Sequence, residues 1–285
     1  MEKALKLIEC PRDAMQGMHE FVPTEKKASY INQLLQCGFD TIDFGSFVSP
    51  KAIPQMRDTA DVLSKLDLSN SKSKLLAIIA NERGAKDACS FDEINYLGYP
   101  FSISEEFQKR NTNSTIEETL QRVEFIQNKT IQSGKKLVIY ISMGFGNPYG
   151  EAWSPDLVLK WTERLVKSFG IETLAISDTI GSAKKDDISF LFNTLIPELP
   201  HIEFGAHMHV RPENAKEIVH TAYNAGCRRF DSAIRGFGGC PMAKDDLTGN
   251  MPTEIMLDYF RENSIPTSID LLSFENAMKV STSIF

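Results

Sequence analysis

Apolar residues gather in short runs separated by longer stretches with helical spacing. Leu75-Leu76-Ala77-Ile78-Ile79 is apolar at every position. A strand with no polar face belongs in a parallel sheet covered by helices. Eight strand candidates are read this way, near 5–9, 40–46, 75–80, 93–97, 136–141, 173–177, 203–207 and 229–233. Helical patterns lie between them, at about 24–37, 54–66, 115–133, 155–169, 184–196, 212–225 and 253–264. Four helix-like stretches end at Gly38, Gly134, Gly170 and Gly226, and a strand-like run follows each at once. Glycine there suits a left-handed C-terminal cap from which the chain turns into the sheet. Ser114 with Glu117 reads as a capping box. Ser154-Pro155 reads as an N-cap with proline in the first turn. Strands alternating with helices over this length predict an α/β fold, a closed (β/α)8 TIM barrel. An open doubly wound sheet is disfavoured, because no G-x-G-x-x-G follows an early strand and no P-loop occurs. A single barrel domain spanning 1–285 is expected, with helices over 253–283 packing after the barrel.

The chain has 285 residues, 42% apolar and 24% charged, an ordinary soluble mix that can bury a sizeable core. Its net charge of -7 argues against non-specific nucleic-acid binding, yet leaves room for a small basic pocket that takes a phosphorylated ligand. No apolar run approaches the roughly 18 residues that span a bilayer, so no membrane partner is expected. Met1 to Cys10 leads straight into a strand, so no signal peptide is expected. Cys10, Cys37, Cys89, Cys227 and Cys240 form an odd, scattered set. That suggests reduced thiols and a cytoplasmic location. Each reads first as a small buried hydrophobe.

In such a barrel the chemistry lies at the C-terminal ends of the strands. Read in order, those ends offer Arg12-Asp13, Asp43 with Ser46, Asn81, Ser102 with Ser104, Ser142, Asp178-Thr179 and His207-Met208-His209. Residues two apart on a strand share a face, so both imidazoles point the same way and suit two cis ligands of one metal. Two interior histidines held by hydrogen bonds would give the same pattern. Asp13 at another strand end favours the metal reading, since a carboxylate with two neutral imidazoles is a common Lewis-acid arrangement. Oxygen-rich remaining positions favour Mg²⁺ or Mn²⁺ over structural zinc. The loop after the last strand reads Gly238-Gly239-Cys240-Pro241. Its glycines permit close approach to a ligand, and a cysteine at the tip is a candidate proton donor or nucleophile if its surroundings tune it. A plain turn with an incidental thiol is the alternative.

With these residues in view, the sequence resembles the hydroxymethylglutaryl-CoA lyases, within the wider group of metal-dependent lyase and synthase barrels. Pro11-Arg12-Asp13 with Gln16 carries the resemblance, as do Ser46-Phe47-Val48-Ser49-Pro50-Lys51 with Pro54-Gln55-Met56, and Lys109-Arg110-Asn111 with Ile116-Glu117-Glu118. Asn147-Pro148-Tyr149, Asp178-Thr179-Ile180-Gly181 and Gly238-Gly239-Cys240-Pro241 with Gly249-Asn250 extend it over nearly the whole chain. The resemblance implies cleavage of 3-hydroxy-3-methylglutaryl-CoA to acetyl-CoA and acetoacetate, with Mg²⁺ or Mn²⁺ held by Asp13, His207, His209 and Asn250. It implies that Arg12 stabilises the developing oxyanion, that Cys240 closes over the site and helps protonate the carbanion, and that Asp43 and Asp178 join the acid-base shell. Gln16, Ser46, Asn81, Gly238 and Gly239 would border the acyl-CoA. Leucine degradation and ketone body metabolism are the settings implied.

Three positions depart from the family's pattern. Asp43 stands where glutamate is usual, one methylene shorter, an arm that could need a bridging water. Val210 replaces an aspartate after the second histidine and removes a neighbouring acceptor. Arg235 stands where a small residue is common; contact with an anionic CoA group is one reading, and a surface position is the favoured one. Related readings are another hydroxyacyl-CoA lyase or a Claisen-type acyl-CoA synthase; the cysteine loop and the short C-terminus favour the lyase. A non-catalytic acyl-CoA-binding barrel would require that Asp13, His207, His209 and Asn250 do not meet in space. The helices near 253–283 are candidates to cover a partner copy in a homodimer.

Overall fold

A computed structural model describes residues 4–239 and 248–285. Its strands are β1 (Lys6–Glu9), β2 (Thr41–Ser46), β3 (Lys74–Ile78), β4 (Ile94–Ser102), β5 (Lys136–Ser142), β6 (Thr173–Asp178), β7 (Glu203–Met208) and β8 (Arg229–Ser232). All pair in parallel with their sequence neighbours, and β8 pairs with β1 to close a TIM barrel. The helices are α1 (Pro11–Gln16), α2 (Thr24–Leu35), α3 (Thr59–Leu63), α4 (Glu82–Cys89), α5 (Glu105–Thr112), α6 (Ile116–Gln132), α7 (Pro155–Phe169), α8 (Lys185–Glu198), α9 (Ala215–Asn224), α10 (Thr253–Glu262) and α11 (Leu271–Ser281). Among the described residues no helix is long and apolar enough to cross a membrane.

Strand alternation divides the core in two. On β5, Leu137, Ile139 and Ile141 face the large layer between sheet and helices. Val138 and Tyr140 face inward, where they meet Leu76, Tyr96 and Ala175. Burial on both faces explains the unbroken apolar runs, since each large side chain removed from water contributes about 1.5–3 kcal/mol.

The four cap glycines, Gly38, Gly134, Gly170 and Gly226, all take positive φ, as their positions predicted. Ser154 caps α7 by accepting from Leu157 N, with Pro155 at the first helical position. The capping box lies one residue later than expected: Thr115 and Glu118 satisfy each other's backbone N–H. Ser114 instead meets Thr119 Oγ1 at 2.7 Å. The helices expected over 54–66 and 212–225 are each broken into a short 3-10 turn (Pro54–Met56, Pro212–Asn214) followed by an α-helix. Three further helices, α1, α4 and α5, span only six to eight residues each.

Beyond β8 the chain makes a 3-10 turn at Ile234–Gly236. It returns at Gly249 to wedge between the ends of β7 and β8. Val210 N donates to Gly249 O at 2.9 Å, Met251 N to Met208 O at 3.0 Å, and Ala233 N to Met251 O at 2.9 Å. Then α10 packs on α9, and α11 packs on α2.

Candidate active site

The C-terminal mouth of the barrel opens into a cavity of about 540 Å³. Its inner end is formed by Arg12, Asp13, Gln16, His207 and His209, and its sides include Ser46 and Asn81. Arg12, Asp13 and Gln16 sit on α1, a helix of only six residues that Pro11 starts. One turn of helix brings residues three and four apart onto one face. Accordingly Gln16 Nε2 donates to Asp13 Oδ1 at 2.5 Å, and Arg12 Nη1 donates to Gln16 Oε1 at 2.9 Å.

Arg12 is the electrostatic centre. It donates to Asp13 Oδ1 at 2.8 Å from Nη1 and to Asp43 Oδ2 at 2.5 Å from Nη2. Its Nε lies 3.2 and 3.1 Å from the two Asp43 oxygens. The guanidinium fork suits two carboxylates at once. Asp43 therefore reaches Arg12 directly despite its short arm. Burial raises the Asp43 pKa, Arg12 opposes it, and Asp13 and Asp231 add to the rise; the result is about 6. Asp13 is also penalised by burial, but the charge of Arg12 and the neighbouring imidazoles prevail and hold it well below the usual carboxylate range. Arg12 is held firmly charged: burial works against it, and the two carboxylates prevail.

His207 lies on β7 and His209 just past its end. Asp13, His207 and His209 each offer a ligand atom, all within 4.8 Å of one another. His209 Nε2 lies 3.8 Å from Asp13 Oδ2, a buried oxygen with no hydrogen-bond partner among the described residues. His209 Nδ1 is held by Thr179 O at 3.1 Å, and His207 Nδ1 by Asp231 Oδ2 at 3.2 Å. With both Nδ1 atoms engaged, the Nε2 atoms are the donors left for a cation. Asn250 arrives by an isolated antiparallel bridge to His209. Its amide donates to Phe237 O at 2.8 Å, so its oxygen is the atom it can offer. A buried, unpartnered carboxylate oxygen beside two imidazoles fits a divalent cation, and would otherwise be a costly orphan.

The remaining expected residues lie at varied distances from the cavity. Ser46 Oγ accepts from Val48 N at 3.3 Å, and Asn81 caps α4 by accepting from Gly84 N at 2.9 Å. Asp43 supports Arg12 from behind the wall. Asp178 lies on another side, where it accepts from the amides of Ala183 at 2.8 Å and Ser182 at 3.0 Å. Burial raises its pKa against the pull of those amides. Gly238 takes φ +102°, and a Cβ there would lie 2.5 Å from Asn250 Nδ2. Gly239 also has positive φ. Cys240 falls outside the described residues. Arg235 is exposed, with its backbone N–H donated to Glu254 at 2.9 Å. Val210 is buried, and the acceptors that hold the imidazoles come from Asp231 and Thr179 instead. Thr179 reads from the sequence only as a strand-end polar residue, and Asp231 carries no assignment there. Asp231 was legible as a charged residue in the interior phase of a buried strand.

This geometry joins a family comparison that covers nearly the whole chain: the model described as HMGL-like matches residues 5–280. The chain belongs to the HMGL-like family. It is 31% identical over 269 residues to a hydroxymethylglutaryl-CoA lyase of Bacillus subtilis, covering 94% of this chain and 89% of that protein. It is 33% identical to a cytoplasmic 3-hydroxy-3-methylglutaryl-CoA lyase of Danio rerio, covering 96% and 81%. Among solved structures, an HMG-CoA lyase of Acinetobacter baumannii in complex with coenzyme A and 3-methylmalate superposes with a TM-score of 0.90 at 30% identity, over 99% of this chain and 91% of that one.

Proposed function

We propose that this protein cleaves 3-hydroxy-3-methylglutaryl-CoA to acetyl-CoA and acetoacetate, with Mg²⁺ or Mn²⁺ held by Asp13, His207, His209 and Asn250. The observation that carries the reading is the meeting of Arg12, Asp13, His207 and His209 at the inner end of one cavity. The names of the relatives supply the substrate. A bound divalent cation would supply Lewis-acid polarisation of substrate oxygens.

The chain's own residues do the rest. Arg12 faces the cavity with a fixed, buried positive charge, suited to the enolate oxygen that develops as the C–C bond breaks. Asp43 and Gln16 hold its fork, so little reorganisation is needed during reaction. Cys240 would help protonate the carbanion of the acetyl-CoA fragment, a role that rests on the family resemblance. At the open end, Arg110 and Arg122 line the cavity, and Arg83 borders an adjoining depression with Arg122. These cations lie where the phosphates of an acyl-CoA would be met, despite the acidic chain. Asp178, spent on backbone amides, would act by fixing the turn after β6.

Such an activity would serve leucine degradation or ketone body metabolism. The free thiols of Cys10, Cys37, Cys89 and Cys227 support a cytoplasmic setting. Exposed Leu271 and Leu272 support α11 as a homodimer contact. The test is a metal-supplemented assay with a small panel of branched hydroxyacyl-CoA esters. Acetoacetate should appear from hydroxymethylglutaryl-CoA and stop with EDTA. No product with either metal would sink the substrate assignment.

A further inference from the structure

His207 is fixed from below by a charged column that the reaction itself does not use. Its Nδ1 lies 3.2 Å from Asp231 Oδ2. The other Asp231 oxygen lies 4.0 Å from Arg229 Nη2, and Arg229 Nη1 lies 3.5 Å from Glu203 Oε1. Arg229 is 1% exposed and Asp231 2%. None of the three Arg229 nitrogens has a hydrogen-bond partner among the described residues. The column is built into the barrel: Gly205 stands beside Arg229, where a Cβ would come within 2.9 Å of its side chain. Tyr140 sets its ring edge-on to His207 at 5.3 Å.

A buried guanidinium without hydrogen bonds is costly unless its charge serves something. Here it compensates Asp231, the carboxylate that holds the His207 ring from below. Cys10, His207 and Asp231 also lie close enough for a second, softer metal site. The Arg229 charge opposes another cation there, and Asp231 Oδ2 is already spent on Nδ1.

We infer that Asp231, backed by Arg229, is a positioning residue: it fixes His207 in the Nδ1–H tautomer, with the Nε2 lone pair aimed into the site. Removing such a carboxylate behind a metal-binding histidine typically costs 10- to 100-fold in metal affinity. The inference rests on the proposed metal role of His207, and the test separates the two.

Mn²⁺ affinity is measured by titration calorimetry in the parent, in Asp231→Asn, and in Asp231→Asn with Arg229→Gln. The double variant removes both charges, so its melting temperature should return towards the parent's, while its Mn²⁺ affinity stays roughly 10- to 100-fold weaker. Parent-like affinity in the double variant would overturn the inference. If the variants fail to fold, ¹⁵N NMR of histidine-labelled, metal-free parent at alkaline pH decides, with His207 assigned from a His207→Gln spectrum. The Nδ1–H tautomer is expected; the Nε2–H tautomer overturns it. A parent that binds no Mn²⁺ defeats the metal reading and leaves the tautomer result standing.

Discussion

Replacing Arg12 by glutamine tests whether one guanidinium holds the site together. Arg12 is 7% exposed and makes charge-assisted bonds to Asp13 and Asp43, both also buried. Glutamine keeps some polarity and removes the charge, so two neighbouring carboxylates lose their compensation. Breaking a buried ion pair costs about 3–5 kcal/mol. At about 2–4 °C per kcal/mol for a chain of this order of size, melting should fall by roughly 10 °C. The measurement belongs in EDTA, because a bound cation would itself neutralise Asp13. Turnover should fall about 10²–10³-fold if the guanidinium stabilises the oxyanion. Two companion variants separate stability from chemistry. Arg12→Lys keeps a charge but cannot span both carboxylates with a planar fork, so it should recover part of the stability and little of the rate. Asp43→Asn added to Arg12→Gln removes one orphaned charge, and should raise melting again without restoring turnover. Melting of Arg12→Gln within 2 °C (about 1 kcal/mol) of the parent in EDTA would refute the compensation.

Glu9 gives a pH prediction. Burial raises its pKa from 4.5 to about 8, against hydrogen bonds from Thr253 and Ile234 N. An acid whose folded pKa is raised contributes stability in full below its unfolded pKa and loses it as pH rises through the folded value. The parent should therefore lose up to about 5 kcal/mol between pH 4.5 and 8 at this group. Denaturant titrations at pH 5 and pH 9 should show Glu9→Gln losing less than the parent; equal losses would exclude Glu9. Gly238→Ala meets both a positive φ and the Asn250 amide, so Mn²⁺ affinity should weaken several-fold by calorimetry; unchanged affinity would detach the glycine from the site. Cys240→Ala should reduce turnover far more than metal affinity, and unchanged turnover would remove the thiol from the chemistry.

The barrel was legible because its signals are long or obligatory. Strands buried on both faces leave runs such as Leu75–Ile79, and a left-handed cap leaves a glycine where the chain turns inward. The short helices left weaker traces. One and a half turns, as in α1, give amphipathic periodicity no room to repeat, so Arg12 and Asp13 read as a strand end. Breaks at 54–58 and 212–214 were hidden because a 3-10 turn and the α-helix after it share nearly the same polar pattern. Where a chain forms several hydrogen-bonding side chains in a row, sequence also left the cap ambiguous by one residue: Ser114 and Thr115 are both competent, and Ser114 is drawn instead to Thr119.

The candidate site was legible in residue types and less so in phase. Strand side chains alternate, so two consecutive residues cannot both enter the barrel. In the β6–β7 pairing, Ser177 stands opposite His207 and Asp178 opposite Met208. His207 faces the cavity, and Met208 packs in the outer core. The same alternation sends Ser177 to the cavity and Asp178 to the amides of the following turn. In the β7–β8 pairing, Asp231 stands opposite His207 and therefore shares its inward phase. Anchoring each strand on the histidine pair thus selects Asp231 from residues that strand ends alone do not distinguish. It also accounts for the tolerance of Val210. That residue follows His209 by one position, so it turns away from the barrel, and Asp231 on the adjacent strand β8 takes up the work of holding an imidazole.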